Sequence, residues 1–174
     1  NLMEAGLGSA EHEERLLRAH WLATRDHDAR RWEGSRSIKA RYKLKDYRGR
    51  DRELLADLHD YVRTLRDASV PYRDVYAPSH PASFALLGDG VLIAEARAWG
   101  ERLKRTWVTA PFLPVLIAAR LRAPQDGPQH LDLLRLCELY GFRIYRWGGF
   151  RANTGQSALH RLAFEHYAKR LDVP

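Results

Sequence analysis

The residues with the clearest chemical capacity are the cations between Arg30 and Arg52, in RRWEGSRSIKARYKLKDYRGRDR. The block holds ten Lys or Arg and three acids (Glu33, Asp46 and Asp51), so it carries +7, the formal net charge of the whole chain. Guanidinium and ammonium groups pair with phosphate oxygens whatever the base sequence, so one-signed charge at this density suits a polyanionic partner, most simply nucleic acid. The candidate contacts are Arg36, Lys39, Arg41, Lys43, Lys45, Arg48 and Arg50, interleaved with Trp32, Tyr42 and Tyr47. Lys39 and Lys43 are four apart, as are Arg41 and Lys45, so a helix here would show two cationic rows. Two other readings stay open: a surface docking an acidic neighbouring domain, and a plain solvated face.

A second cluster runs over Phe142–Arg161, with Arg143, Arg146, Arg151 and Arg161 and no acid. Trp147, Phe150 and Asn153 lie among them, beside Gly148, Gly149 and Gly155. Arginine with aromatics suits phosphate contact or base stacking, and glycine permits close backbone approach. The glycines do not match a phosphate-binding loop, which needs GxxxxGK[ST]. A structural loop between two helices fits the segment better. Arg143, Arg146 and Arg151 are retained as candidate nucleic-acid contacts, with Trp147 and Phe150 as an interaction surface that would equally serve homo-oligomer formation if exposed.

No arrangement of catalytic type emerges. Asp26-His27-Asp28 imitates a metal site, but adjacent residues point in different directions and no second histidine has i, i+4 spacing. His160 and His166 are six apart, which is not one helical face. No local signature of a nucleophile with its base is present. No metal or other cofactor is expected within this segment. The single Cys137 excludes an intramolecular disulfide; set in LDLLRLCELY, it reads as a buried thiol in a reducing, cytoplasmic setting. The most apolar stretch, residues 111–121, is about half the ~20 residues a membrane span needs, so no membrane partner is expected.

The elements that must position these residues read as helices throughout. The expected fold is all-α, an irregular bundle of six or seven helices in a single domain over residues 1–174. Ser9 can cap a helix over Ser9–Ala23, with Leu16, Leu17, His20 and Trp21 on its apolar face. A short helix is placed at about Ser37–Leu44. Asp51–Ser69 has Leu54, Leu55, Leu58, Tyr61, Val62 and Leu65 at i, i+3, i+4 spacing, and Pro71 is expected to end or kink it before a turn-rich stretch to Pro81. Asp89–Trp107 is helical again. Thr109–Leu121 is apolar nearly all round and is expected to be the buried centre. Pro128 opens a helix carrying Leu131, Leu134 and Cys137, with Gly141 a candidate break. FRIYRWGGF fits a weak alternation or a continuing helix equally. GGFRANTG reads as a loop and Ser157–Leu171 as a closing helix. The chain starts at Asn1 and stops at Pro174 just after a helical pattern; both ends are expected to be cuts through a longer protein.

Three phrases together resemble a large bacterial defence family: LLRAHWLATRDHDARRWEGSRSIKARYKL (16–44), LLADLHDYVRTLRDASVPYRDVYAP (54–78) and CELYGFRIYRWGGFRANTGQSALHRLAFEHY (137–167). The family joins a ParB-like N-terminal domain to, often, a C-terminal HNH nuclease. Modification-dependent restriction enzymes of the GmrSD type and sensors of phosphorothioate-modified DNA are similar to it. The resemblance matches only the helical middle of such proteins. It implies a DNA-contacting and coupling segment, with flanking catalytic domains of the same chain as partners and with nucleotide and divalent metal used outside this segment. The family's Asp-Gly-Gln-Gln-Arg motif has only Asp126-Gly127-Pro128-Gln129-His130 as a counterpart, and no catalytic role is carried onto it.

Overall fold

The computed structural model describes residues 2–168, and all of its regular elements are helical. The principal helices are α1 (Ala10–Thr24), α2 (Ser35–Arg41), α3 (Asp51–Tyr76), α4 (Gly90–Arg105), α5 (Leu113–Arg122), α6 (Gly127–Tyr140) and α7 (Gln156–Tyr167). Short 3-10 turns precede α2 and follow it, at Ala29–Arg31 and Leu44–Tyr47. Ser9 caps α1 by accepting from the His12 N–H, and Asp89 caps α4 by accepting from the Val91 and Leu92 N–H groups.

α5 is the centre of the bundle, as its apolar composition requires. Every residue from Leu113 to Arg120 is buried, and α5 packs against α1, α3, α6 and α7. It is shorter than the expected Thr109–Leu121. Thr109–Phe112 forms a separate turn, closed by the Phe112 N–H donating to the Thr109 carbonyl. Pro111 disfavours helical backbone at Ala110, so the helix starts after it. The expected closing helix, Ser157–Leu171, appears as α7 to Tyr167; its last residues lie outside the described part.

Pro71 does not end α3. The helix runs 26 residues straight through it. An interior proline removes one hydrogen bond and costs about 3 kcal/mol. Here the next turn makes up the loss: Tyr72 is fully buried, as is Ala68 before it, and Val75 is 2% exposed. The Tyr72 ring lies 4.7 Å from Tyr76 and edge-on to His12, whose Nδ1 is 2.7 Å from the Tyr72 hydroxyl. The turn-rich connection therefore begins at Ala77.

Phe84 holds this connection to the core. It is non-glycine yet left-handed, with φ 62°, and only 1% exposed. Its N–H donates to Asp74 Oδ1 at 2.9 Å, and its ring fits against Gly100 of α4, where a Cβ would come within 3.2 Å. Burial pushes the Asp74 carboxyl up to about 6, against the pull of that N–H and of Arg73 and Arg120. Arg120 and His130 are buried in the same region, at 5% exposure each.

Asp126-Gly127-Pro128-Gln129-His130 is the start of α6: Asp126 accepts from the Gln129 N–H, and Pro128 sits in the first turn. Gly141 does not break the chain. It is helical, and the backbone widens into a π-helical segment, Gly141–Trp147, so the ambiguous FRIYRW is helix and not strand. A Cβ at Gly141 would lie 3.3 Å from the Phe112 ring, so the missing side chain lets this segment close on the core. The Tyr145 hydroxyl donates to the Thr154 carbonyl and ties the following loop back.

Candidate nucleic-acid interface

The basic block lies on the outside of α1 and α3, and its aromatic residues attach it there. Trp32 Nε1–H donates to Glu14 at 2.7 Å, with its ring 5.5 Å from Trp21. Tyr42 meets Tyr61 edge-on at 5.7 Å, and the Tyr47 hydroxyl donates to Asp57. These three rings are half-buried anchors and do not stand free for stacking on bases.

The expected pair of cationic rows does not form. α2 begins earlier than expected and ends at Arg41, because the Tyr42 backbone leaves the helical region (φ −103°, ψ 38°) as its ring turns into Tyr61. Lys43 is extended and Lys45 sits in the following 3-10 turn. The charges still share one exposed surface segment: Arg36, Lys39, Arg41, Lys43, Lys45, Arg48 and Arg50 are all exposed. Three of them are engaged, Arg41 with Asp57 at 3.1 Å, Arg50 with Glu53 at 3.3 Å and Arg36 with Glu33 at 3.6 Å. Such exposed pairs are worth about 0–1 kcal/mol and open readily for a stronger anion. Among the described residues, Lys39, Lys43, Lys45 and Arg48 have no ion partner.

The second cluster is carried by the π-helical segment and the loop after it. Arg143, Arg146 and Arg151 are exposed, as are Trp147 at 82% and Phe150 at 57%. The wider turn puts Tyr145 into the core beside Phe112 and Tyr140 and leaves Phe142 and Trp147 outside, 6.4 Å apart. Arg146 and Phe142 line an open groove of about 310 Å³ with Arg102, Arg105, Thr106 and Glu138.

The two clusters approach each other at the start of α7. His27, Asp28, Arg30 and Arg31 face Ser157, Ala158 and Arg161 across an open groove of about 510 Å³. The hydrogen bond from Arg30 holds the Asp28 carboxyl down at about 2, so Asp28 stays anionic and occupies Arg30. Arg161 has no ion partner among the described residues. Sequence spacing gave no sign of this junction, because 126 residues separate Arg31 from Ser157.

The Asp26-His27-Asp28 run is a capped turn, with Asp28 accepting from the Arg30 N–H. Among the described residues no three His, Cys, Asp or Glu side chains are placed to hold a metal ion. No described helix is long and apolar enough to cross a membrane. Sequence reasoning missed Arg102 and Arg105, whose signal was their position in the last turn of an amphipathic helix. No family model matches the chain, and no curated protein or solved structure is significantly similar to it.

Proposed function

We propose that this chain is a nucleic-acid-contacting helical module, and that it serves as the DNA-contacting and coupling middle segment of a modification-dependent antiphage restriction protein. The observation that carries the contact is the surface around α2: seven exposed cations on a short segment clamped by Trp32, Tyr42 and Tyr47, four of them without an ion partner among the described residues. Phosphate contacts of this kind position a duplex without reading its bases. The restriction context rests on the resemblance of the three phrases alone. In that context a ParB-like domain handles nucleotide, an HNH domain cuts with a divalent metal, and this segment binds and couples.

The test is fluorescence anisotropy of the chain with labelled duplex DNA across a salt series. The expected result is a log K that falls steeply with log salt. Replacing Lys39, Arg41, Lys43 and Lys45 together by alanine flattens the slope by about 0.9 for each phosphate that is no longer neutralised. An unchanged slope would remove the block from the interface. Absence of binding even at low salt favours the rival reading, in which the block docks an acidic neighbouring domain and the bundle is a scaffold.

A further inference from the structure

A small pocket lies where the first turn of α7 meets α1, on the face of α7 next to the Arg161 groove. Its volume is about 50 Å³. A water needs at least about 10–15 Å³ on this measure, so the pocket has room for three or four waters, which is the size of a phosphate group. Arg15, Arg18, Tyr76, Gln156 and His160 line it over an apolar floor that includes Leu22 and Leu113. No acid lines it.

Three observations of different kinds converge there. His160 is 1% exposed, and neither of its ring nitrogens has a hydrogen-bond partner. Buried polar atoms are normally satisfied, and leaving one unmade costs about 1–3 kcal/mol. α7 is twelve residues long and starts from Gly155 at φ 74°, with no side chain capping its first turn. The Gln156 N–H donates to the Asn153 carbonyl, so what this end of α7 offers the pocket is the positive end of the helix dipole and the Gln156 side of its first turn. Glycine is needed there, since any Cβ would be strained and would lie 2.6 Å from the Tyr140 hydroxyl. Lastly, Arg18 is exposed and has no ion partner among the described residues. Burial, reinforced by Arg18 and His27, depresses the His160 imidazole to about 4, so at neutral pH the ring is uncharged and has one N–H to donate.

We propose that this pocket is a phosphate-monoester site, with Arg18 and Gln156 holding the anion at the positive end of α7 and His160 hydrogen-bonding it from below. The small volume favours a terminal phosphate over a diester, which brings a second substituent on its other ester oxygen. Two sources present that group: the phosphorylated end of a nucleic-acid strand, and a free phosphate or mononucleotide. The site is independent of the α2 surface, because inorganic phosphate alone can probe it.

The experiment is calorimetric titration of the whole chain with inorganic phosphate, alongside NMR observation of the His160 ring protons. Saturable binding that shifts the His160 signals is expected, and it should persist in the Lys39, Arg41, Lys43 and Lys45 alanine variant. Arg18→Ala, at an exposed position, should weaken binding about tenfold through loss of one charge-assisted hydrogen bond, whereas Arg161→Ala on the neighbouring face should change it little. A preference for a 5′-phosphorylated oligonucleotide over its hydroxyl-ended twin, abolished by Arg18→Ala, identifies a strand end as the ligand. Equal binding of phosphate and mononucleotide, without that preference, identifies the free form. Unmoved His160 signals, or an Arg18→Ala affinity equal to the parent's, would overturn the site.

Discussion

Cys137 shows how strongly a side chain's surroundings set its chemistry. It is 5% exposed, and burial alone pushes its thiol up to about 12. The thiolate is the reactive form, so Cys137 should be inert in the folded chain. Timed labelling with a thiol reagent at neutral pH should show modification only at the rate of unfolding, and rapid modification once denaturant is added. This burial was legible in LDLLRLCELY, because Leu131, Leu134 and Cys137 repeat at helical spacing. The exposure of the seven cations around α2 was legible for the complementary reason, since so many charges on so short a segment cannot be paired inside. Arg120 was not legible. It sits in a helix that reads as apolar, and the approach of Asp74 from α3 gives its charge a counterpart. His160 was hidden likewise: its lack of partners is a fact about α1 and α7 meeting, which no local pattern encodes.

Helix positions and types were readable wherever an apolar stripe repeated, as in α1, α3, α4 and α6. Their ends were less readable, because ends are decided by neighbours. α2 stops where Tyr42 turns into Tyr61, and α3 continues where Tyr72 and Val75 are held by the core. The π-helical turn after α6 depends on Tyr145 reaching Phe112, a contact across 33 residues of chain. Gly100 tests the same principle within α4. In a free helix, Gly→Ala gains about 1 kcal/mol. Here the new methyl would lie 2.9 Å from the Pro78 side chain and 3.2 Å from the Phe84 ring. Gly100→Ala should therefore destabilise the fold by about 1–3 kcal/mol, the usual cost of overpacking, as read from the urea midpoint. A higher midpoint would mean that the 77–88 connection yields easily.

For the whole molecule, the buried histidines set the response to acid. His20 is depressed to about 3, chiefly by burial and then by Arg25, while His130 and His160 are depressed to about 4. Below the ordinary imidazole value near 6.5, the unfolded chain takes up protons at these three sites that the folded chain refuses, so stability falls as pH falls. Asp74 acts in the opposite sense. Its raised value means that the folded state binds its proton first, so its contribution grows as pH drops through about 6. Near pH 5 the difference on these groups is close to three protons less one. Stability should decline by about 3 kcal/mol per pH unit, and more steeply in Asp74→Asn, as followed by urea unfolding at stepped pH. A flat profile would mean that the three rings reach solvent. α3 carries a further consequence at this scale. About 39 Å long, it continues without a break through Pro71, which is packed tight. Arg41 and Tyr47 grip it near one end through Asp57, and Phe84 hangs from the other through Asp74. The basic face and the Phe84 support of α4 are thus fastened to one continuous helix, seventeen residues apart, at Asp57 and Asp74.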